Sequence, residues 1–372
     1  MTKTKEILSG VPQGYDTLVI ADLAREKGRV LHLADTDAQM MRLKDGFTAM
    51  APDVDVLLFP AWDTIPYDRV SPHADIEGVR LDTLSYLANH AGEHRPLVVL
   101  ASVASFLQRV PPPSFFKGQV LSARIGDRFD WSSVQVFLTK NGYMRTEQVM
   151  EPGEYALRGG IVDIFPAGYE QPFRMDLFGD ELESLRTFDP VTQKTNGTLS
   201  SFIIKPMAEF VLSAESIALF RTQYRTLFGI TDDDFIYESI SNGRKVPGIE
   251  HWLPLFFKEM STLFDYVPDI FVSEAFGVEK AIEERLKQIQ EYYDARLIAL
   301  QNKTDMGTPY HPVPAERMFL SKEEAEHLLQ THSGAVLSPF VEPDARDMGG
   351  RVGENFAADR KSVGRERVCS WV

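Results

Sequence analysis

Three short apolar runs recur early in the chain: RVLHLA (29–34), VDVLLFP (54–60) and PLVVLAS (96–102). Each is followed by residues with helical periodicity. A strand that is apolar throughout must be covered on both faces, and helices joining such strands build a buried parallel sheet. Asp35 or Thr36 is placed to cap a helix over Ala38–Met50. Ile76–Ala91 reads as a helix carrying Val79, Leu81, Leu84 and Leu87 on or near one face, and Val103–Val110 begins another. Further on, SFIIKP (201–206) reads as a resumed buried strand. Ser213–Gly229 and Lys280–Lys303 read as helices, and Val272–Glu274 and Ala335–Ser338 as further strands. The expectation is a parallel sheet that is begun, interrupted and rejoined.

The interruption has a different texture. Glu151–Pro190 contains nine Asp/Glu and three cations, all Arg: Arg158, Arg174 and Arg186. Apolar and polar residues alternate in IVDIF and FRMDLF, the period of half-buried strands. Gly159-Gly160, Pro166 and Gly179-Asp180 mark turns. With a helix over Trp131–Asn141, this reads as an inserted α+β module whose antiparallel sheet shows lone Arg forks among carboxylates. If Met175 and Leu177 face the core, alternation puts Arg174, Asp176 and Phe178 on the opposite face. Such forks suit bidentate pairing with a partner's carboxylates. They suit internal salt bridges of the sheet equally well. Asp163, Asp176 and Glu181 tune the electrostatics of that face rather than catalyse. FGDELE is too short for a calcium loop and reads as a hairpin turn.

The fold class expected is therefore α/β: a parallel sheet domain (1–117 and 201–340) split by the inserted module (118–200), with a linker and irregular tail (341–372). Residues 361–372 switch to a basic run and look like a foreign junction. A net charge of −15 without a Lys/Arg stripe repels phosphate and disfavours autonomous nucleic-acid binding. No run approaches the ~18 apolar residues of a membrane span. No signal peptide is visible, and the one cysteine, Cys369, fits a reducing cytoplasm. His90 and His94 sit in a loop with Gly92 and Pro96 nearby, and no zinc pattern occurs. Trp62, Tyr67 and His73 read as loop packing.

A phosphate-binding loop needs closely spaced glycines, a Lys and a Ser/Thr. Residues Ser9–Asp16 keep Gly10 and Gly14 but offer Tyr15 and Asp16 where the cation and hydroxyl belong. The sheet domain is thus expected to be of degenerate P-loop type. No catalytic residue, metal site or cofactor is assigned to the chain.

Two stretches carry a family resemblance. R-G-x-x-x-D-I-F-P followed by F-R-x-D-x-F-G-D-E-L-E-S-L resembles the UvrA-binding module shared by UvrB and the bacterial transcription-repair coupling factors. FPAWDTIPYDRVSPHADI resembles the coupling factors in particular. Only twelve residues separate Tyr67 from Arg80, too few for the aromatic hairpin with which UvrB clamps damaged DNA. The resemblance runs over about residues 15–358. It implies an N-terminal UvrB-homology region with a degenerate nucleotide site that recruits UvrA in transcription-coupled repair. It also implies contact residues at Arg158, Arg174 and Phe178. RNA polymerase, double-stranded DNA, ATP and magnesium are implied for other parts of the intact family protein. The alternative is a UvrB-like, nucleotide-dependent damaged-DNA-binding protein.

Overall fold

A computed structural model describes residues 5–351 apart from 91–94, 129, 230–233, 303–308 and 333. His94, Cys369 and the basic tail therefore lie outside the described residues. In chain order the first half of the large sheet comprises β1 (Glu6–Ser9), α1 (Tyr15–Lys27), β2 (Arg29–Ala34), α2 (Asp37–Met50), β3 (Asp55–Phe59), α3 (Ala74–Asn89) and β4 (Leu97–Ser102). Two single turns, α4 (Val103–Phe106) and α5 (Pro113–Phe116), follow. The expected helix over Val103–Val110 is thus cut to one turn. The backbone of Gln108 and Val110 is instead spent on antiparallel bridges to Phe319 and Ser261.

Next come β5 (Leu121–Arg124), α6 (Trp131–Lys140), β6 (Met144–Arg145), β7 (Glu154–Arg158), β8 (Ile161–Ile164), β9 (Phe173–Phe178), β10 (Glu181–Phe188), β11 (Thr195–Thr198) and β12 (Ser201–Ile204). After α7 (Ala214–Phe228) and α8 (Phe235–Ser241), β13 (Phe271–Ala275), α9 (Val278–Asn302), α10 (Ala315–Met318), α11 (Lys322–Thr331), β14 (Gly334–Leu337) and β15 (Arg346–Asp347) complete the fold.

The large sheet has the order β15-β1-β14-β13-β2-β4-β3, with every pairing parallel. Strand residues alternate between two cores. Val30, Val98 and Leu100 pack on Val19, Ile20 and Ala24 of α1 and on Leu43 and Phe47 of α2. Leu31, Leu33 and Val99 pack on Leu81, Leu84 and Leu87 of α3, Ile282 of α9 and Leu329 of α11. Both faces are covered, which is why these strands are apolar throughout. Thr36 caps α2 by accepting the Gln39 N–H.

β6 to β11 form a second, six-stranded sheet, antiparallel except where β6 runs parallel to β7. The run at 201–206 does not return to the parallel sheet. β12 pairs antiparallel with β5, and its Phe202 and Ile204 are buried with Val162, Met175 and Leu185. Its apolar residues alternate in burial, so it is a half-buried strand rather than one covered on both faces. A third core gathers α7, α8 and a 3-10 segment (Ile249–Phe256) around Trp252. Trp62 and Tyr67 are buried there, whereas His73 is exposed and accepts the Asp75 N–H at the start of α3.

Candidate protein-docking face

The antiparallel sheet turns Val162, Met175, Leu182 and Leu185 toward α6 and β12. Alternation then sends Arg158, Ile161, Asp163, Arg174, Asp176 and Arg186 to the other face, and the pairing register lines them up in two rows. Ala156, Asp163, Arg174 and Arg186 form one, and Arg158, Ile161, Asp176 and Ser184 the other. Phe178 and Glu181 continue this face at the β9–β10 turn. Gly160 is required here. Leu177 N–H donates to its carbonyl at 2.8 Å, and a Cβ on residue 160 would lie 2.8 Å from the Leu177 carbonyl oxygen.

The register corrects one expectation. Arg174 is not a lone fork: Asp163 stands directly opposite it and accepts from Nε at 2.7 Å and Nη2 at 2.8 Å. Val149, Ala156, Phe165 and Phe188 form a small apolar cluster on this face. Arg174 lies 4.7 Å from the centre of the Phe188 ring, and Asp163 is buried. The bidentate bond to Asp163 holds the Arg174 pKa above its usual value. Arg186 is likewise paired, with Asp176, which also accepts from the Ser184 hydroxyl. Glu181 makes a loose 3.4 Å contact with Arg128. Opposite charges on neighbouring strands find each other before any partner can.

What remains accessible is narrower than the sequence suggests. Arg158 is exposed, donates to the Glu147 carbonyl and has no carboxylate partner among the described residues. Phe178 is 78% exposed at the end of β9. Ile161, 39% exposed, lies directly across from both Arg158 and Asp176. Ile161 was not singled out from the sequence. The parity that places Asp163 outward also places it there, and that is the signal that could have found it. An exposed ring and a guanidinium without a carboxylate partner on one sheet face suit a protein surface that offers an apolar pocket rimmed with carboxylates. No group of three or more His, Cys, Asp or Glu that could hold a metal ion occurs among the described residues.

At the other site named from the sequence, Gly10 and Gly14 lie on the loop between β1 and α1, both with left-handed backbone. Asp16 accepts the Gly14 and Thr17 amides, each at 2.9 Å, and pairs with Arg42. No helix among the described residues is long and apolar enough to cross a membrane.

Residues 121–210 match the model of the UvrB interaction domain. The transcription-repair-coupling factor of Haemophilus influenzae is 36% identical over 88% of this chain and 28% of its own length. That of Escherichia coli is 39% identical over 68% of the chain and 22% of its length. That of Bacillus subtilis is 26% identical over 77% and 26%. The chain thus spans less than a third of the curated relatives it matches.

Proposed function

The chain belongs to the transcription-repair-coupling-factor family, and from that we propose that its antiparallel sheet is the surface through which such a factor recruits UvrA in transcription-coupled nucleotide-excision repair. The observation that carries this reading is the exposure of Arg158, Ile161 and Phe178 on one face of the sheet, within the segment that matches the UvrB interaction domain. Arg158 pairs with a carboxylate of UvrA, and Phe178 with Ile161 fills an apolar pocket beside it. Arg174, fixed by Asp163, adds a held positive charge, and Asp176 and Glu181 set the field around it. The loop at Gly10–Gly14 is read as a degenerate nucleotide site that hydrolyses nothing. Work on RNA polymerase and ATP-driven movement on DNA fall, in this reading, to the remainder of such a protein's length.

The test is a binding assay with purified UvrA, comparing the wild type with Arg158→Ala and Phe178→Ala. Each substitution is expected to weaken binding at least tenfold. Wild-type protein that does not bind UvrA removes the proposal; equal binding by all three keeps the partner and discards these residues. ATP turnover abolished by changes in Gly10–Asp16 would instead favour a UvrB-like nucleotide-dependent protein.

A further inference from the structure

A small chamber lies beyond the carboxyl ends of β3 and β4, which are neighbouring parallel strands. Ligand crevices of parallel sheets open at such strand ends. One wall is the loop after β3, with Trp62 and Thr64 of the FPAWDTIPYD run. That loop carries backbone strain: Tyr67 is left-handed at φ 63°, and its carbonyl accepts from Arg296 Nε at 2.7 Å. Gln108, His251 and Phe319 supply further walls, and α9 brings Arg285. The chamber offers about 10 Å³ to the centre of a water-sized sphere, which is room for one such occupant. A phosphate or an organic acid does not fit.

The polar groups around it are sealed and idle. Gln108 is 3% exposed. Its Nε2, the Thr64 hydroxyl and the Arg285 Nε are buried, each without a hydrogen-bond partner among the described residues. A native fold leaves few such groups, and three around one cavity point to an occupant. His251, drawn toward the Val70 carbonyl, adds a ring that burial keeps neutral above about pH 4. Arg285 decides the charge of the occupant. Its guanidinium reaches Gln288 at a loose 3.4 Å and makes no ion pair among the described residues. Asp37 attracts it without pairing, and Asp37 Oδ1 instead accepts the Ala61 amide at 3.1 Å. Burial accordingly lowers the Arg285 pKa. A cation withdrawn from water without a contact partner calls for a counter-ion. The three idle groups all donate hydrogen bonds, which suits an anion and opposes a metal ion.

We propose that this chamber is a monatomic-anion site, in which chloride is held by Arg285 Nε, Gln108 Nε2 and the Thr64 hydroxyl as a buried counter-ion. The ion joins three separate parts of the chain: the loop after β3, the segment after α4 and the first half of α9. It thereby clamps the FPAWDTIPYD loop to the end of the parallel sheet. Water is the competing occupant. It matches the chamber in size but leaves the charge of Arg285 unbalanced. The inference rests on the chamber alone and is independent of the reading of the antiparallel sheet.

Bromide is the probe, because it carries the charge of chloride and scatters X-rays anomalously. A crystal of the protein soaked in bromide is expected to show an anomalous peak among Thr64, Gln108 and Arg285. In solution, sodium bromide and sodium chloride are expected to raise the thermal midpoint saturably, by several degrees over sodium gluconate at equal ionic strength. Gluconate is too large to enter. Arg285→Gln is expected to weaken the halide response at least tenfold in concentration. Gln108→Glu sets a carboxylate beside Arg285 and is expected to abolish the response; it carries the test alone if Arg285→Gln fails to fold. The proposal is overturned if the chamber gives no anomalous peak and holds only water. It is equally overturned if halides act no differently from gluconate, which would make any peak binding at crystal concentration only, or if the folded variants respond to halide as the wild type does.

Discussion

Arg174 and Asp163 face each other across β9 and β8 with 18% and 2% of their side chains exposed. Arg158, two strands from Arg174 on the same face, has no such partner among the described residues. The two arginines should therefore respond to truncation in opposite ways. Arg174→Ala strands a buried carboxylate and is expected to cost about 3 kcal/mol of stability, read as a lower urea midpoint. Arg158→Ala leaves only solvent and a carbonyl behind and is expected to change stability by less than about 0.5 kcal/mol. Its effect is expected on UvrA affinity, at about 2 kcal/mol for a central contact. A loss of affinity in Arg174→Ala accompanied by a normal melt would show that Arg174 touches the partner directly.

At the scale of elements, α3 ties the parallel sheet to its neighbours. Arg80 on this helix is fully buried, donates to Glu209 and to the Pro60 carbonyl, and lies over the Phe59 ring. One turn earlier, burial pushes the Glu77 carboxyl up to about 8, helped by Glu250 and Glu209 and opposed by Lys245 and Arg80. The folded state thus holds a proton that the unfolded chain releases near 4.5. Stability from this group is complete below that value and is lost as pH rises toward 8. Glu77→Gln keeps the shape without the charge. It is expected to flatten the decline of the urea midpoint between pH 5 and 8, and an unchanged slope would assign that decline to other groups.

Across the fold, two buried histidines contribute to the loss of stability in acid. His32 lies between β2 and β13 against the Ser273 hydroxyl at 2.9 Å, and His251 packs edge-on against Trp62. Burial lowers both to about 4 from an ordinary 6.5. Here the unfolded chain takes up the protons, so stability is present above 6.5 and falls as pH drops toward 4. His251→Phe is expected to make the urea midpoint less sensitive to acid across that window; identical pH profiles would contradict the burial argument.

Pattern along the chain was enough to specify the parallel sheet, the α+β texture of 151–190, the Gly179-Asp180 turn and the outward parity of Arg174, Asp176 and Phe178. These follow from periodicity, which is a local property of the chain. Long-range contact decided which arginine lacks a carboxylate partner among the described residues, where β12 pairs, and what lies against Gly10. Each of these depends on register or on contact between segments far apart in the chain. Asp163 meets Arg174 only through the β8–β9 pairing, and residues 346–351 reach Gly10 only because β15 closes the edge of the sheet beside β1. A one-residue change of register alters every such partner while leaving the apolar pattern along the chain as it was.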